Sequence, residues 1–320
     1  MAAHDQSYKR LFSHPKMVED LLRGFVQEEW VNQLDFSTLE TVKDSFMSDN
    51  LKARHDDIIW RVRWGPKWLY IFLLLEFQST IDPFMAVRLI VYIGLLYQHL
   101  IDTQKLKQKD KLPPVLPIVI YNGSDKWDAK KNLSQLIEKV PGGLDKYQPK
   151  LRYFLLDEST FSDAKLAPLI KNLVAALIRL ENTRNLENEQ AVAKAIQTVL
   201  DSLVEWLKDP EFERLRRDIV TWLLRVLLPH NVPNIPIPQV IELQEMNSML
   251  YETIQNWYKE AEVRGRLQGE ALGREQGEAL GRQQGEKLGR QRGRLEGQAE
   301  IFLQLLETKF GPLEPEVRIY

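Results

Sequence analysis

The sequence predicts an α/β fold built on a mixed sheet. Three observations predict it. Residues 69–75 (Leu-Tyr-Ile-Phe-Leu-Leu-Leu) form a continuous apolar run, too short to span a membrane and read as a strand buried on both faces. A second apolar strand over 58–64 is joined to it by Gly65-Pro66, so the two should pair antiparallel as a hairpin. A strongly apolar helical segment over 85–101 then precedes another buried strand over 115–121.

The remaining elements follow in order. Leu11, Phe12, Val18, Leu21, Leu22 and Phe25 recur at helical spacing over 5–29, with a break expected near His14-Pro15. Asp5 and Lys9 are four apart and share a face, which reads as a helix-start acid and a solvated lysine. Residues 36–47 are β-branched with partial alternation and read as a first strand, and Asp49-Asn50 as a turn. Asp82 is expected to cap the helix over 85–101, with Pro83 in its first turn. Residues 103–112 are a basic loop, ordinarily solvated surface, ended by Pro113-Pro114. Asn122-Gly123 terminates the strand over 115–121, and 151–157 suits one more strand. The order is α-β-β-β-α-β.

Beyond Ser162 the pattern is helical in pieces, over 162–182, 185–208, 211–229 and 239–262, with Pro229, Pro233, Pro236 and Pro238 separating the last two. The implied division is a core over 1–160, a helical support or dimerisation region over 161–262, a glycine repeat over 263–297, and the start of a small helical module over 298–320. In the repeat, glycine stands at every fourth position from 265 to 297. Nine helix glycines cost about 9 kcal/mol relative to alanine, which predicts a marginal or frayed helix. Small residues at this spacing also let two helix backbones approach, and a flexible charged linker is the alternative. Residues 301–313 are expected to begin a further amphipathic helix, and the chain stops soon afterwards, as a truncated gene product would.

Composition removes several classes. The 320 residues are 44% hydrophobic, enough for a core, and carry a net charge of −2, so nucleic-acid binding needs a local patch. There is no cysteine, which excludes disulfides, thiolate catalysis and Cys-ligated zinc. The five histidines lack the spacing of a zinc hydrolase. With no signal peptide and no run of eighteen apolar residues, a soluble cytoplasmic chain is expected.

The chemistry concentrates where the apolar strand ends in Glu76-Phe77-Gln78. Glu76 and Gln78 share a face by strand alternation. A carboxylate at the end of a buried strand is costly unless paired or bound to a cation; the alternative is that Glu76 is simply the first polar residue where the strand meets solvent. In the hairpin, Asp56 or Asp57 comes close to Glu76, and alternation does not choose between them. Two converging carboxylates suit Mg²⁺, which takes hard oxygen ligands and keeps several waters, and the Phe77 backbone carbonyl would add an oxygen.

These residues resemble a known family. An Asp, a hairpin, then Glu-x-Gln is similar to the PD-(D/E)XK nuclease superfamily, with Gln78 where lysine is commoner. More narrowly, the chain resembles the Rpn family of recombination-promoting nucleases, also labelled YhgA-like transposases. The resemblance rests on His4-Asp5 with Tyr8-Lys9, on His55-Asp56-Asp57-Ile58-Ile59-Trp60, on Glu76-Phe77-Gln78, on Met85-Ala86-Val87-Arg88-Leu89 with Tyr92, and on residues 116–123. It covers about residues 4–125, with weaker similarity beyond. It implies a restriction-endonuclease-like core and Mg²⁺- or Mn²⁺-dependent hydrolysis of DNA. By the family's pattern Asp57 and Glu76 are the metal ligands, Asp5 is an extra ligand or neighbour, and Lys9 and Arg88 contact phosphate. Arg88 also suits a core-edge ion pair. Gln78 can position water or phosphate but supplies neither charge nor a base. A homo-oligomer, a dimer at its simplest, is expected. The rival expectation is a decayed nuclease kept as a DNA-binding or adaptor protein; a true transposase is disfavoured by the lack of a DDE-type triad and of a helix-turn-helix.

Overall fold

The computed structural model describes residues 2–42, 57–76, 81–123, 125–183, 186, 189–231 and 242–312. They fall into two compact units, Met1–Ile254 and Gln255–Tyr320. The first unit is organised on a five-stranded mixed sheet. Its strands are β1 (Leu34–Val42), β2 (Asp57–Trp64), β3 (Lys67–Glu76), β4 (Val115–Tyr121) and β5 (Phe154–Asp157), in that spatial order. β1, β2 and β3 pair antiparallel, while β3, β4 and β5 pair parallel. The expected hairpin forms, with Trp64 opposite Lys67 across the Gly65-Pro66 turn.

β1 starts two residues earlier than its propensity suggests, and positions 43–47 of the expected strand lie outside the described residues. Its register shifts between Asp35 and Glu40. The Asp35 carboxylate accepts from the Ser37 amide and hydroxyl, and Thr38 Oγ1 donates back to the Asp35 carbonyl. These local bonds draw the backbone away from the ladder and leave an irregularity.

Each sheet face has its own cover. Ile59, Tyr70, Phe72, Val119 and Tyr121 form one core with Met85, Leu89, Tyr92, Leu96 and Leu100 of α3 (Met85–Gln104). The opposite face carries α1 (Ala2–Leu11) and α2 (Pro15–Phe25), separated at Pro15 as expected. There the buried Trp60 Nε1 donates to the Phe12 carbonyl at 3.0 Å. α3 starts two residues later than the expected cap at Asp82 implies. Asp82 Oδ1 accepts from the Phe84 amide at 2.9 Å, and Phe84 stands at the cap with no side-chain bond. Asp82 therefore forms a turn ahead of the helix rather than its cap, because its short side chain reaches two residues on.

By length and composition α3 alone among the described helices could cross a membrane. Here Met85, Ala86, Leu89, Tyr92, Ile93, Leu96 and Leu100 are its buried side against the sheet.

The helices after β5 also differ from their pattern. The segment expected to be one helix over 162–182 is a single turn, Asp163–Leu166, then α4 (Leu173–Asn182). Lys171 takes a left-handed conformation (φ 55°) and reorients the chain into Asn172. Asn172 then caps α4: its Oδ1 accepts from the Ala175 amide and its Nδ2 donates to the Asp20 carbonyl of α2. α5 (Glu189–Trp206) and α6 (Glu213–Trp222) follow, and α6 runs into a π-helical turn, Leu223–Leu227. Pro229 has no amide to give to the carbonyl four residues back, so the wider turn fits the chain around it.

The last helix, α7 (Leu243–Phe310), begins in the first unit, where Leu243, Met246 and Leu250 are buried. From Gln255 on it belongs to the second unit. The glycine repeat, expected to be marginal, is helical throughout, and the helix expected to begin near Ile301 is continuous with it. Strong helix formers fill the places between glycines, and Arg292 pairs with Glu296 at 2.8 Å one turn on. Gly311 (φ 88°) ends α7, its amide bonded to the Glu307 carbonyl.

Candidate functional site

The parallel strands bring their C-terminal ends to one edge of the sheet, where Glu76 is in register with Tyr121 and Tyr121 with Asp157. β2 runs the other way, so its first residue lies at this same edge. Asp57 is in register with Leu74, two residues before Glu76. Alternation assigns positions 57, 59, 72, 74 and 76 to one side of the sheet, and Ile59 and Phe72 mark it as the α3 side. α3 connects β3 to the adjacent parallel β4, so it must run back along the sheet and start at this edge.

The predicted site residues divide accordingly. The backbones of Asp57 and Glu76 meet the sheet edge as described, and Asp5 is on α1; the side chains of these three lie outside the described residues, as do Phe77 and Gln78 altogether. Lys9 is half-buried on α1. Arg88 is on the first turns of α3, with its side chain 14% exposed. Its Nη1 is 3.9 Å from Asp82 Oδ2, and its guanidinium lies 6.0 Å from the Tyr92 ring centroid. Tyr92 stacks in turn on Phe72 at 5.5 Å. Arg88 thus sits at the buried margin of the edge that holds positions 57 and 76, with an acid beside it. Among the described residues no group of three or more His, Asp or Glu side chains is disposed to hold a metal ion.

An aromatic wall continues from this edge on the α3 side. The Tyr121 and Trp127 rings meet edge to face at 4.9 Å, and Trp127 Nε1 donates to the Tyr153 hydroxyl at 3.1 Å. Burial raises the Tyr153 phenol to about 12, and the charge of Asp82 adds to the rise. Gly123 completes this packing. A Cβ there would stand 2.2 Å from the Tyr121 hydroxyl and 2.3 Å from Cζ, so the backbone passes the ring only without a side chain.

Behind the sheet edge, on the α1 side, lies a buried polar cluster. The Tyr8 hydroxyl is 2.9 Å from Glu181 Oε1 and 3.2 Å from Glu158 Oε2, and Asn122 Nδ2 reaches it at 3.4 Å. All four residues are buried, Glu158 completely. Burial pushes the Tyr8 phenol well above its usual value, and the two carboxylates push it further. It therefore stays a neutral hydroxyl donor. Tyr8 and Asn122 belong to motifs visible in the sequence. Glu158 and Glu181 were not anticipated; the available signal is Glu181 itself, an acid inside the apolar run that forms α4.

The profile of the family described as "Putative transposase, YhgA-like" matches residues 2–209. The chain belongs to this family. Among curated proteins, this YhgA-like chain is 31% identical over 121 residues to the recombination-promoting nuclease RpnD of Escherichia coli O157:H7, covering 38% of the chain and 45% of that relative. It is also 31% identical over 121 residues to the recombination-promoting nuclease RpnC of Escherichia coli strain K12, covering 38% and 39%. Over 120 residues it is 29% identical to a K12 protein named as an inactive recombination-promoting nuclease-like protein, RpnE, again covering 38% and 39%. The chain thus aligns with less than half the length of these relatives. No solved structure matches it. Its resemblance to the Rpn family is borne out by these relatives, and its mixed sheet with helices is an α/β fold.

Proposed function

We propose that this YhgA-like protein is a divalent-metal-dependent endonuclease that hydrolyses DNA phosphodiester bonds and promotes recombination, on a core of the restriction-endonuclease, PD-(D/E)XK kind. The observation that carries the reading is the register of β2 and β3. It supports a site at one sheet edge with Asp57 and Glu76 on the same side, and it favours Asp57 over Asp56 on parity alone. Relatives named as recombination-promoting nucleases support the same activity.

Two carboxylate-bearing positions fit Mg²⁺ or Mn²⁺ by donor chemistry: hard anionic oxygens, with water completing the shell. Asp57 and Glu76 would hold the ion, with the Phe77 carbonyl and Asp5 as further oxygen donors. When bound, such an ion supplies an activated water and neutralises charge on the phosphate. Arg88 and Lys9 would contact the phosphate, and Arg88 at the edge has the fixed geometry of a guanidinium for that task. Gln78 would orient water or phosphate by hydrogen bonds and leave base chemistry to another group. DNA is the partner in this reading, the location is the cytoplasm, and the protein works as a homo-oligomer. The exposed Leu272, Leu280, Leu288 and Phe302 of the second unit support assembly.

The test is incubation with supercoiled plasmid. Nicking or linearisation in Mg²⁺ or Mn²⁺, abolished by chelator, is expected, and Gln78→Ala should slow it without abolishing metal binding. A second reading, a DNA-binding or adaptor protein without cleavage, is favoured by Gln78 in place of lysine and by the relative named inactive. Salt-sensitive DNA binding with no cleavage in any divalent metal would select it.

A further inference from the structure

The opposite end of the same sheet face carries a second feature. Past the cover of α3, Arg61, Arg63 and Trp68 lie on the α3 side of the hairpin. The Arg63 guanidinium stacks over the Trp68 ring at 3.9 Å and that of Arg61 at 4.5 Å. Arg61 is engaged by Glu40. Arg63 gives one N–H to the Pro66 carbonyl at 3.1 Å and keeps the rest of its fork.

The loop that follows α3 lies beside this hairpin. Gln104 Nε2 donates to the Tyr70 hydroxyl, and the Tyr70 amide donates to the Pro114 carbonyl, so both ends of the loop are held at Tyr70. Residues 105–111 contain four lysines and one aspartate, in a chain of net charge −2. The aspartate is spent on the fold: Asp110 Oδ2 accepts from the Lys107 amide at 2.7 Å, and the Asp110 amide donates to the Lys107 carbonyl. This closed turn presents Lys107 and Lys109 to solvent, while Leu106 tucks in. Lys105 holds a left-handed backbone (φ 50°) at the helix end, a place that glycine or asparagine fills with less strain.

We propose that Lys105, Lys107, Lys109 and Lys111, with the Trp68-stacked Arg63, form a second phosphate-binding surface for duplex DNA, separate from the cleavage edge. The inference rests on the nuclease reading for its choice of DNA. The partner follows from charge: lysines concentrated on one closed turn neutralise a run of phosphates, and a guanidinium fixed by an aromatic ring binds phosphate with little ordering cost. The spacing also fits. From Arg88 to Lys105 α3 rises about 25 Å at 1.5 Å per residue. At 3.4 Å per base pair that is roughly seven base pairs of one duplex. DNA held at the edge of positions 57 and 76 would thus reach the lysine turn within its own length.

The experiment compares the full chain with the triple variant Arg63→Ala/Lys107→Ala/Lys109→Ala. It measures affinity for a fluorescent 24-base-pair duplex across a salt series in Ca²⁺, and plasmid nicking in Mg²⁺ or Mn²⁺. The triple variant should bind at least tenfold more weakly at low salt, and its log–log salt slope should be shallower by about 0.9 for each phosphate left unneutralised. Its nicking should show a raised KM with kcat unchanged. Lys105→Gly relieves the backbone and should melt no lower than wild type while still weakening binding. The triple Lys130→Ala/Lys139→Ala/Lys150→Ala removes as much charge elsewhere and should bind as wild type does. Wild-type affinity and slope in the first triple, or equal weakening in the control triple, would overturn the proposal. If wild type nicks DNA while the first triple is unaffected, only this surface falls; if wild type neither binds nor nicks DNA, the nuclease reading falls with it.

Discussion

Single residues decide how tightly the sheet edge is built. Gly123 passes the Tyr121 ring where a Cβ would lie 2.2 Å from its hydroxyl. Gly123→Ala should therefore cost about 1–3 kcal/mol, as overpacking does, and lower the urea midpoint. Tyr8 holds its hydroxyl within reach of two buried carboxylates and a buried amide. Tyr8→Phe should cost about 1–3 kcal/mol, the penalty of leaving buried polar groups short of a partner, read in the same titration. Tyr153 has a phenol that burial raises to about 12. The folded state prefers the neutral form, so its stabilisation is complete below about pH 10, the unfolded value. It is lost as pH climbs from there to about 12. Thermal melts of Tyr153→Phe should show a shallower fall in Tm over that window than wild type; an identical fall would contradict the assignment. These effects were only half legible in the sequence. Tyr8, Tyr121, Asn122 and Gly123 stood in motifs. Glu181 showed only as an acid inside an apolar run and Glu158 not at all, because their bonds to Tyr8 join residues 173 and 150 positions apart.

At the scale of elements, local pattern was a good guide wherever burial is two-sided and a poor one wherever polar groups bond nearby. The hairpin was legible because its apolar runs flank a two-residue turn. Gly65 has φ 59°, as the first central residue of a mirror-type turn requires, and Pro66 fixes the second. Gly65→Ala should cost about 1–2 kcal/mol and loosen the register of β2 on β3. Hydrogen exchange of the Trp64 and Leu69 amides, which face across the β2–β3 pair, would report it; unchanged protection would speak against a turn that sets the register. Asp35, Asp82 and Asn172 defeated local prediction for one shared reason. Each short polar side chain takes a neighbouring backbone group, which breaks the β1 register after Asp35 and sets the chain's entry into a helix after Asp82 and Asn172. The alternation that could not choose Asp57 at the sequence level gained its parity only from pairing with β3.

For the whole molecule, two units imply separable properties. Gly-to-Ala changes at 269, 277 and 285 lie in the second unit, where no neighbouring side chain stands within 4 Å of an added Cβ. Each should stabilise the helix by about 1 kcal/mol. Amide exchange along 265–297 should slow, and plasmid nicking by the first unit should not change; altered nicking would mean that the repeat takes part in cleavage. Cleavage and metal binding should both depend on the sheet edge of the first unit. Asp57→Asn and Glu76→Gln keep side-chain size and remove charge, so both should fold with wild-type Tm. Wild type is predicted to nick supercoiled plasmid in Mn²⁺ and to bind Mn²⁺ in calorimetry, and both variants are predicted to lose both properties. Nicking that survives in either folded variant, or Mn²⁺ binding that neither change weakens, would contradict a metal-dependent nuclease centred on Asp57 and Glu76.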